Sequence, residues 1–517
     1  MEIPQFGKWR SFFWPIHRAE LKKFLPMLFI FFLIAFNYNV LRSYKDTIVV
    51  TASHSGAEVI PFIKLWAVLP SALLSALLFT RLSNRFTREK VFYIIMSSFL
   101  VFFFVFAFLL YPARESLHPN AWANQLQEIL PKGFKGFIAI YRNWTYTLFY
   151  VMSELWSTTI FTVLFWGFAN EVTKVGEAKR FYGILTAGGN IAGVFAGCTA
   201  IAFSGNVFIS WLPYGKNSWD QSLFFMTCTM IGTGLVTMFI FRWLNVHVIG
   251  PSERARKEDE IPPKIRMSMR ENFSYLARSK YLICIALIVF AYNVAINLVE
   301  VVWKDQMKRL YPDASDYNAY MGQVMIAMAI LASVAGLLTT SKAIQRYSWT
   351  ACALVPTAVV AITGMAFFHF AAFPNHGLTW IVAALNVTPL VLCVTLGSIQ
   401  NCFSRASKYT FFDATKEIAF IPLSNESKLK GKAAIDGVGS RLGKSGGSAI
   451  HQGLILMCSS LSAAIPYVAG IFLVIIFIWA LSAISLGKRF DQLIAEKAKL
   501  DIPDAPVTER KEALHEG

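Results

Sequence analysis

Asn37-Tyr-Asn-Val-Leu-Arg-Ser-Tyr-Lys-Asp46 follows without a break on an apolar run that begins near Leu25. The run is long enough to cross a bilayer, so Arg42, Lys45 and Asp46 fall in or beside a segment surrounded by lipid. Ionisable groups there cost roughly 2.5–3.5 kcal/mol each on insertion scales, and by default they mark a substrate path. Runs of this kind recur near 24–44, 59–80, 91–112, 143–170, 180–204, 222–243, 281–303, 319–341, 349–371, 378–410, 441–463 and 464–487. They are too long for the ~10-residue alternation of a membrane β-barrel. The chain therefore reads as an all-α polytopic membrane protein with about twelve transmembrane helices and both termini on one side.

Composition agrees. Of 517 residues, 55% are hydrophobic and only 15% charged, against roughly 25% charged in soluble domains. A net charge of +17 raises nucleic acid as a partner, but in so apolar a chain lysine and arginine are better explained by membrane topology and attraction for anions, and no nucleic-acid partner is expected. With the N-terminus placed in the cytoplasm, most of the 48 Lys and Arg residues fall on the inside, as the positive-inside rule requires. Met1–Lys23 shows neither a cleavage site nor a Ser/Arg-rich transit pattern, so the first apolar run is read as a permanent span, and a bacterial inner membrane as the location. The seven cysteines have no zinc-ligand or redox spacing and read as small core hydrophobes. The histidines, among them His54, His369, His376 and His451, are scattered. A catalytic grouping, a metal site and a cofactor are not expected.

The chain divides into a cytoplasmic segment 1–23, a first half 24–246, a polar linker 247–280, a second half 281–487 and a charged tail 488–517 that is expected to be disordered. The linker is expected to carry an amphipathic piece near Arg270–Ala277. The halves echo one another. Tyr38-Asn-Val40 recurs as Tyr292-Asn-Val294, Lys45-Asp46 as Lys304-Asp305, Phe165-Trp-Gly-Phe-Ala-Asn-Glu171 as Phe411-Phe-Asp-Ala-Thr-Lys-Glu417, and Ala187-Gly-Gly-Asn190 as Ser445-Gly-Gly-Ser448. The shared order and offset, near half the chain, predict two six-helix halves in parallel, as in major-facilitator-like transporters, with a substrate site between them.

Further charges lie within the runs. Glu154 is midway along the fourth, Glu300 late in the seventh, Arg405 and Lys408 in the tenth, and Arg441 and Lys444 at the start of the eleventh. Each of the two basic pairs is spaced three apart and so shares a helix face. Any one of these could be a static ion pair or a snorkelling side chain. Spread over both halves with cations in excess, the set predicts a cavity for an anion. Tyr146, Tyr150 and Trp156 share the fourth run with Glu154; core packing is the ordinary role of such rings, but one could stack on a nucleobase. Gly443-Lys-Ser-Gly-Gly447 is not a Walker loop, because the position five residues before Gly443 is Val438 and no strand precedes it. Its glycines are read as allowing close helix packing, which leaves Lys444 to reach the cavity.

These residues resemble the nucleotide transporter (ATP/ADP translocase) family of obligate intracellular bacteria and plastids, and most nearly its chlamydial-type bacterial members. The resemblance is carried by Leu41-Arg-Ser-Tyr-Lys-Asp-Thr-Ile-Val-Val-Thr-Ala52, Gly56-Ala-Glu-Val-Ile-Pro-Phe-Ile-Lys-Leu-Trp66, Ser153-Glu-Leu-Trp156, Phe165-Trp-Gly-Phe-Ala-Asn170, Asn297-Leu-Val-Glu-Val-Val-Trp-Lys304, Phe411-Phe-Asp-Ala-Thr-Lys-Glu417 and Gly431-Lys-Ala-Ala-Ile-Asp436 leading into Arg441-Leu-Gly-Lys-Ser-Gly-Gly447. It implies a carrier rather than an enzyme, with ATP and ADP as substrates, host ATP entering in exchange for ADP, and the family's two lysines and two glutamates standing at Lys45, Lys444, Glu154 and Glu300. Some family members carry other nucleotides by proton symport, so a proton-coupled nucleoside triphosphate symporter of the same fold is the alternative.

The expected mechanism is alternating access by a monomer. Arg42, Lys45, Arg405, Lys408 and Lys444 would neutralise the phosphates, with Arg441 and Tyr150 nearby. Glu154 and Glu300 would pair with the lysines of the empty carrier. Lys45 and Lys444 are expected to matter alike, while Lys64, Lys304 and Asp46 read as gate or interface pairs.

Overall fold

The computed structural model describes residues 10, 14–205, 208–249, 279–338, 347–374, 379–423, 431–432, 435 and 439–500. Among them are twelve long helical segments. The first half contributes α1 (Leu21–Thr51), α2 (Val59–Arg85), α3 (Arg88–Leu110), α4 (Trp144–Val172), α5 (Val175–Phe203) and α6 (Ser218–Ile249). The second contributes α7 (Lys280–Leu310), α8 (Ala314–Leu338), α9 (Trp349–Ala372), α10 (389–419), α11 (Ser440–Cys458) and α12 (Leu461–Leu500). Most of the expected inter-half linker, with its amphipathic piece, and the tail beyond Leu500 lie outside the described residues.

Ten of the twelve are long and apolar enough to cross a bilayer. The two that fall short, α10 and α11, carry Arg405, Lys408 and Asp413, and Lys444 with four glycines; they are polar because they face the cavity described below. Helix ends moved relative to the sequence reading where local chemistry outweighs hydropathy. The tenth run, expected to start at 378, is broken after the short helix Thr379–Leu385, and α10 begins where Pro389 takes the first helical position. The Thr388 hydroxyl there accepts a hydrogen bond from the Val391 N–H at 3.3 Å, a cap that fixes the start. Ser348 caps α9 in the same way, accepting from the Ala351 N–H. Between α11 and α12 the chain turns at Ser459, which adopts a left-handed conformation (φ 64°), so the break falls earlier than the expected 463. α12 runs on to Leu500, past the expected end at 487.

The internal repeat is visible in the packing. Asn39 on α1 and Asn293 on α7 each donate a hydrogen bond to the carbonyl four residues back, Ala35 and Val289, both at 2.8 Å. Gly188 and Gly189 press α5 onto Leu28 and Phe31 of α1, as Gly443 and Gly446 press α11 onto Phe290 of α7. α1, α4 and α7 are the most enclosed helices, with 61, 56 and 67% of their most apolar stretch buried against 11% for α2. They form the inner wall of the bundle.

The halves meet at the end remote from the N-terminus. α5 and α8 cross backbone to backbone: a Cβ on Gly197 would lie 2.7 Å from the Gly322 carbonyl oxygen, and one on Gly322 2.8 Å from that of Gly197. Such close approach requires glycine on both sides. Beside this crossing the Ser43 hydroxyl donates to Asn318 Oδ1 at 2.6 Å, and Asn318 Nδ2 donates to the Ser204 hydroxyl at 2.7 Å. Trp66 Nε1 donates to Gln452 Oε1 at 3.1 Å, joining α2 to α11, and the Lys308 ammonium donates to the Ser55 carbonyl. Towards the other end Tyr409 and Lys444 are exposed.

The loop before α2 is pinned by Glu58 and Lys135, 2.8 Å apart. Burial by itself would raise the Glu58 carboxyl, but the Lys135 ammonium holds it below the ordinary carboxylate value. A group so depressed supports the fold above its unfolded pKa, and that support is lost as pH falls through the lowered folded value. Glu58→Gln is thus expected to cost a little stability at neutral pH and to flatten the loss of stability below about pH 4.3. Thermal melts of both proteins across the acid range check this; parallel curves would show that the pair contributes nothing.

Candidate substrate cavity

A cavity of about 320 Å³ lies between the halves, within the range of ligand sites. Its charged lining comes from six helices: Arg42 and Lys45 from α1, Lys64 from α2, Glu154 from α4, Glu300 from α7, Arg405 and Lys408 from α10, and Lys444 from α11. Local structure helps to aim these groups. Lys64 and Lys408 each begin a π-helical turn, and a longer π stretch, Trp156–Phe165, follows Glu154. Such wide turns rotate side chains off the regular helical face and are frequent at functional sites.

Four of these charges, Glu154, Lys45, Glu300 and Lys64, join with Asp46 and Lys304 into one alternating chain across the closed end. Glu154 Oε1 lies 3.0 Å from Lys45 Nζ, and Lys45 Nζ lies 2.9 Å from Asp46 Oδ1. Asp46 Oδ2 lies 2.8 Å from Lys304 Nζ, which is 2.8 Å from Glu300 Oε1. Glu300 Oε2 is 3.5 Å from Lys64 Nζ. The chain runs from the first half through Lys304 and Glu300 of the second and back, and its formal charge is zero. Asp46 and Lys304 at its centre are almost fully buried (0 and 1% side-chain exposure), whereas Glu154 at one end keeps 31%. The Tyr150 ring packs against the Lys45 ammonium, 4.0 Å from its centroid, a cation–π contact strengthened by burial.

The remaining cations are less compensated. Lys408 is 3.3 Å from Asp413. The Arg42 guanidinium donates to Met328 Sδ at 3.9 Å. Arg42, Arg405 and Lys444 have no carboxylate within ion-pair distance among the described residues. An anion entering from the open end meets these groups first.

The expected residues are thus mostly brought together, with three differences. Glu300 pairs with Lys304 and Lys64, not with Lys45 or Lys444, because Lys304 is one helical turn away on the same face. Tyr150 does not line the cavity; it is buried behind Lys45. Arg441 lies on α11, with its side chain outside the described set. Lys64, Tyr38, Tyr292 and Tyr409 line the cavity as well and were missed as site residues. The Glu300–Lys304 spacing of four was a usable signal for that pair; nothing in the sequence separates Lys64 from an interfacial lysine.

A paired bundle closed at one end around a charged central cavity defines a membrane transporter of the major-facilitator-like kind. Solved transporters share this fold: a bacterial homologue of the iron transporter ferroportin (TM-score 0.54, 14% identity, covering 91% of this chain and 100% of that one) and the D-xylose–proton symporter (TM-score 0.52, 13% identity, 90% and 97%). The sequence relationship is closer. The family model described as TLC ATP/ADP transporter matches residues 1–490. The ADP,ATP carrier protein 1 of Chlamydia trachomatis is 47% identical over 96% of this chain and 93% of its own length, and the chloroplastic ADP,ATP carrier protein 1 of Arabidopsis thaliana 41% identical over 93% and 76%. The chain belongs to the TLC ATP/ADP transporter family.

Proposed function

We propose that this protein exchanges ATP for ADP across a bacterial inner membrane, as a monomer, with both termini in the cytoplasm and the cavity shown here open to that side. In an intracellular bacterium this imports host ATP. The observation that carries the reading, beside family membership, is the cationic excess of the cavity: Arg42, Arg405 and Lys444 have no carboxylate partner among the described residues, and Lys408 is only partly offset. A diphosphate or triphosphate brings roughly three or four negative charges and satisfies them.

Exchange follows from that charge. Closing the open end over unpaired cations would remove them from water without compensation, which costs several kcal/mol per ion. The empty carrier therefore crosses slowly, and a bound nucleotide lowers the barrier by supplying counter-charge. Opening the far end requires the contacts between Asp46 and Lys304 and between Lys64 and Glu300 to part. Phosphate oxygens reaching Lys45 and Lys64 compete with Glu154 and Glu300 for those ammonium groups, which loosens the chain when substrate is present and leaves it locked when it is absent. The ATP and ADP gradients set the direction.

The test is uptake of radiolabelled ATP by proteoliposomes loaded with ADP, GTP or buffer. Uptake is expected with ADP inside and at background with buffer. Equal uptake into buffer-loaded vesicles would refute obligatory exchange.

A further inference from the structure

The internal repeat breaks between α3 and α4. The second half joins α9 to α10 with residues 373–388, whereas the first half spends 111–143 on the same link. Most of the added chain forms a hairpin of two short helices, Asn120–Ile129 and Lys135–Arg142, joined by a turn at Lys132–Phe134. Arg142 ties its arms together, donating to Asn124 Oδ1 at 2.8 Å and to Gln127 Oε1 at 3.1 Å. The first half holds its base: Arg114 lies 3.2 Å from the buried Asp220 of α6, and Trp144 Nε1 donates to the Leu117 carbonyl at 3.0 Å. Lys135 pairs with Glu58, and Gly136 faces the Phe62 ring of α2 with no room for a side chain between them. The hairpin is therefore a firm extension of the first half.

Its turn lands on the second half. A Cβ on Gly133 would lie 2.8 Å from the Leu456 Cα and 3.0 Å from the Leu456 carbonyl oxygen. Backbone meets backbone near the end of α11, an approach that glycine alone permits. Leu456 is one turn beyond Gln452, which accepts from Trp66, so one face of α11 meets α2 first and the hairpin next. The seam between α5 and α8 is closed by two crossing helices. The seam between α2 and α11 is closed by a strap that belongs to neither.

We propose that this hairpin is a latch on the closed end, and that the seat of Gly133 on α11 limits how often the empty carrier opens there. The inference rests on the exchange reading above. Glu58, Phe62 and Asp220 make the hairpin move with the first half, so its seat on α11 must part whenever the halves separate at this end. The seat is a contact between uncharged backbones. Phosphate cannot compete for it as it can for Lys45 and Lys64, so the latch resists opening equally with and without nucleotide. In the loaded carrier the substrate lowers the rest of the barrier. In the empty carrier nothing does, and the latch adds to the cost of burying unpaired cations. Gly133 thereby helps to keep exchange strict without touching the substrate.

The test uses full-length protein in proteoliposomes loaded with buffer or with ADP. Gly133→Val pushes the turn off the α11 backbone. Uptake of labelled ATP into buffer-loaded vesicles is expected to rise about tenfold over the parent, with exchange into ADP-loaded vesicles no slower. A damaged fold does not produce such a gain. Gly133→Ala should show a smaller rise, and it decides the matter if the valine variant fails to exchange. A second measurement leaves Gly133 in place. In a Cys458→Ser background, Lys132→Cys and Met457→Cys, exposed neighbours of the contact, are joined by a short bismaleimide. Exchange is expected to stop in the linked double variant and to persist in each single one. Buffer-loaded uptake at the parent's level in a variant that still exchanges, or full exchange by the linked protein, would overturn the latch. Failure of the exchange reading itself would appear separately, as uptake by the parent into buffer-loaded vesicles.

Discussion

Lys304→Met is expected to lower the thermal unfolding midpoint sharply and to reduce exchange to background. Asp46 beside it is fully buried and would keep only Lys45, while Glu300 would keep only Lys64 at 3.5 Å. Breaking a buried pair by removing one partner typically costs about 3–5 kcal/mol, because the remaining charge is left uncompensated. Replacing both partners avoids that cost. The double variant Asp46→Leu with Lys304→Met should therefore recover a large part of the lost stability, giving a coupling on the order of 2 kcal/mol in a double-mutant cycle. Transport should not recover with it, because the far end would be held by apolar contacts that no phosphate can loosen. Additive single effects would mean that the central pair of the chain is not coupled, and the account of the gate would fail.

Lys444→Gln is expected to separate function from folding. Lys444 is exposed to the cavity and has no carboxylate partner among the described residues, so its loss leaves no buried charge behind. Hydrogen bonds to charged groups are worth about 1.5–3 kcal/mol, so kcat/KM for ATP should fall roughly ten- to a hundredfold with the melting curve unchanged. Lys45→Gln should behave differently. It removes the partner of Glu154 and one of the two partners of Asp46, so exchange and stability are both expected to fall. Equal stability losses at the two lysines would contradict the division into a locked chain and a free cationic surface.

That division was not legible in the sequence. Apolar runs of about 20 residues gave the helices, and expensive charges within them gave Lys45, Glu154, Glu300, Arg405, Lys408 and Lys444, because insertion cost depends only on composition and position. Partnership depends on which helices touch. Lys45 and Lys444 looked equivalent as intramembrane cations, and only the approach of α4 and α7 to α1 makes one a member of a buried chain. Asp46, Lys304 and Lys64 read as gate or interface pairs, but their partners could not be named for the same reason. The start of α10 was displaced because the Thr388 cap and Pro389 override the hydropathy signal there, and α11 ended early at the left-handed Ser459.

The central claim is that nucleotide supplies the charge that lets the carrier cross. It is tested most directly in proteoliposomes by counting labelled ATP entering against labelled ADP leaving, with and without an inward proton gradient. The account predicts one ATP in for each ADP out, no uptake into vesicles lacking nucleotide, and no effect of the gradient on that requirement. Uptake into nucleotide-free vesicles driven by the proton gradient would contradict it and make Glu154 or Glu300 a proton carrier instead.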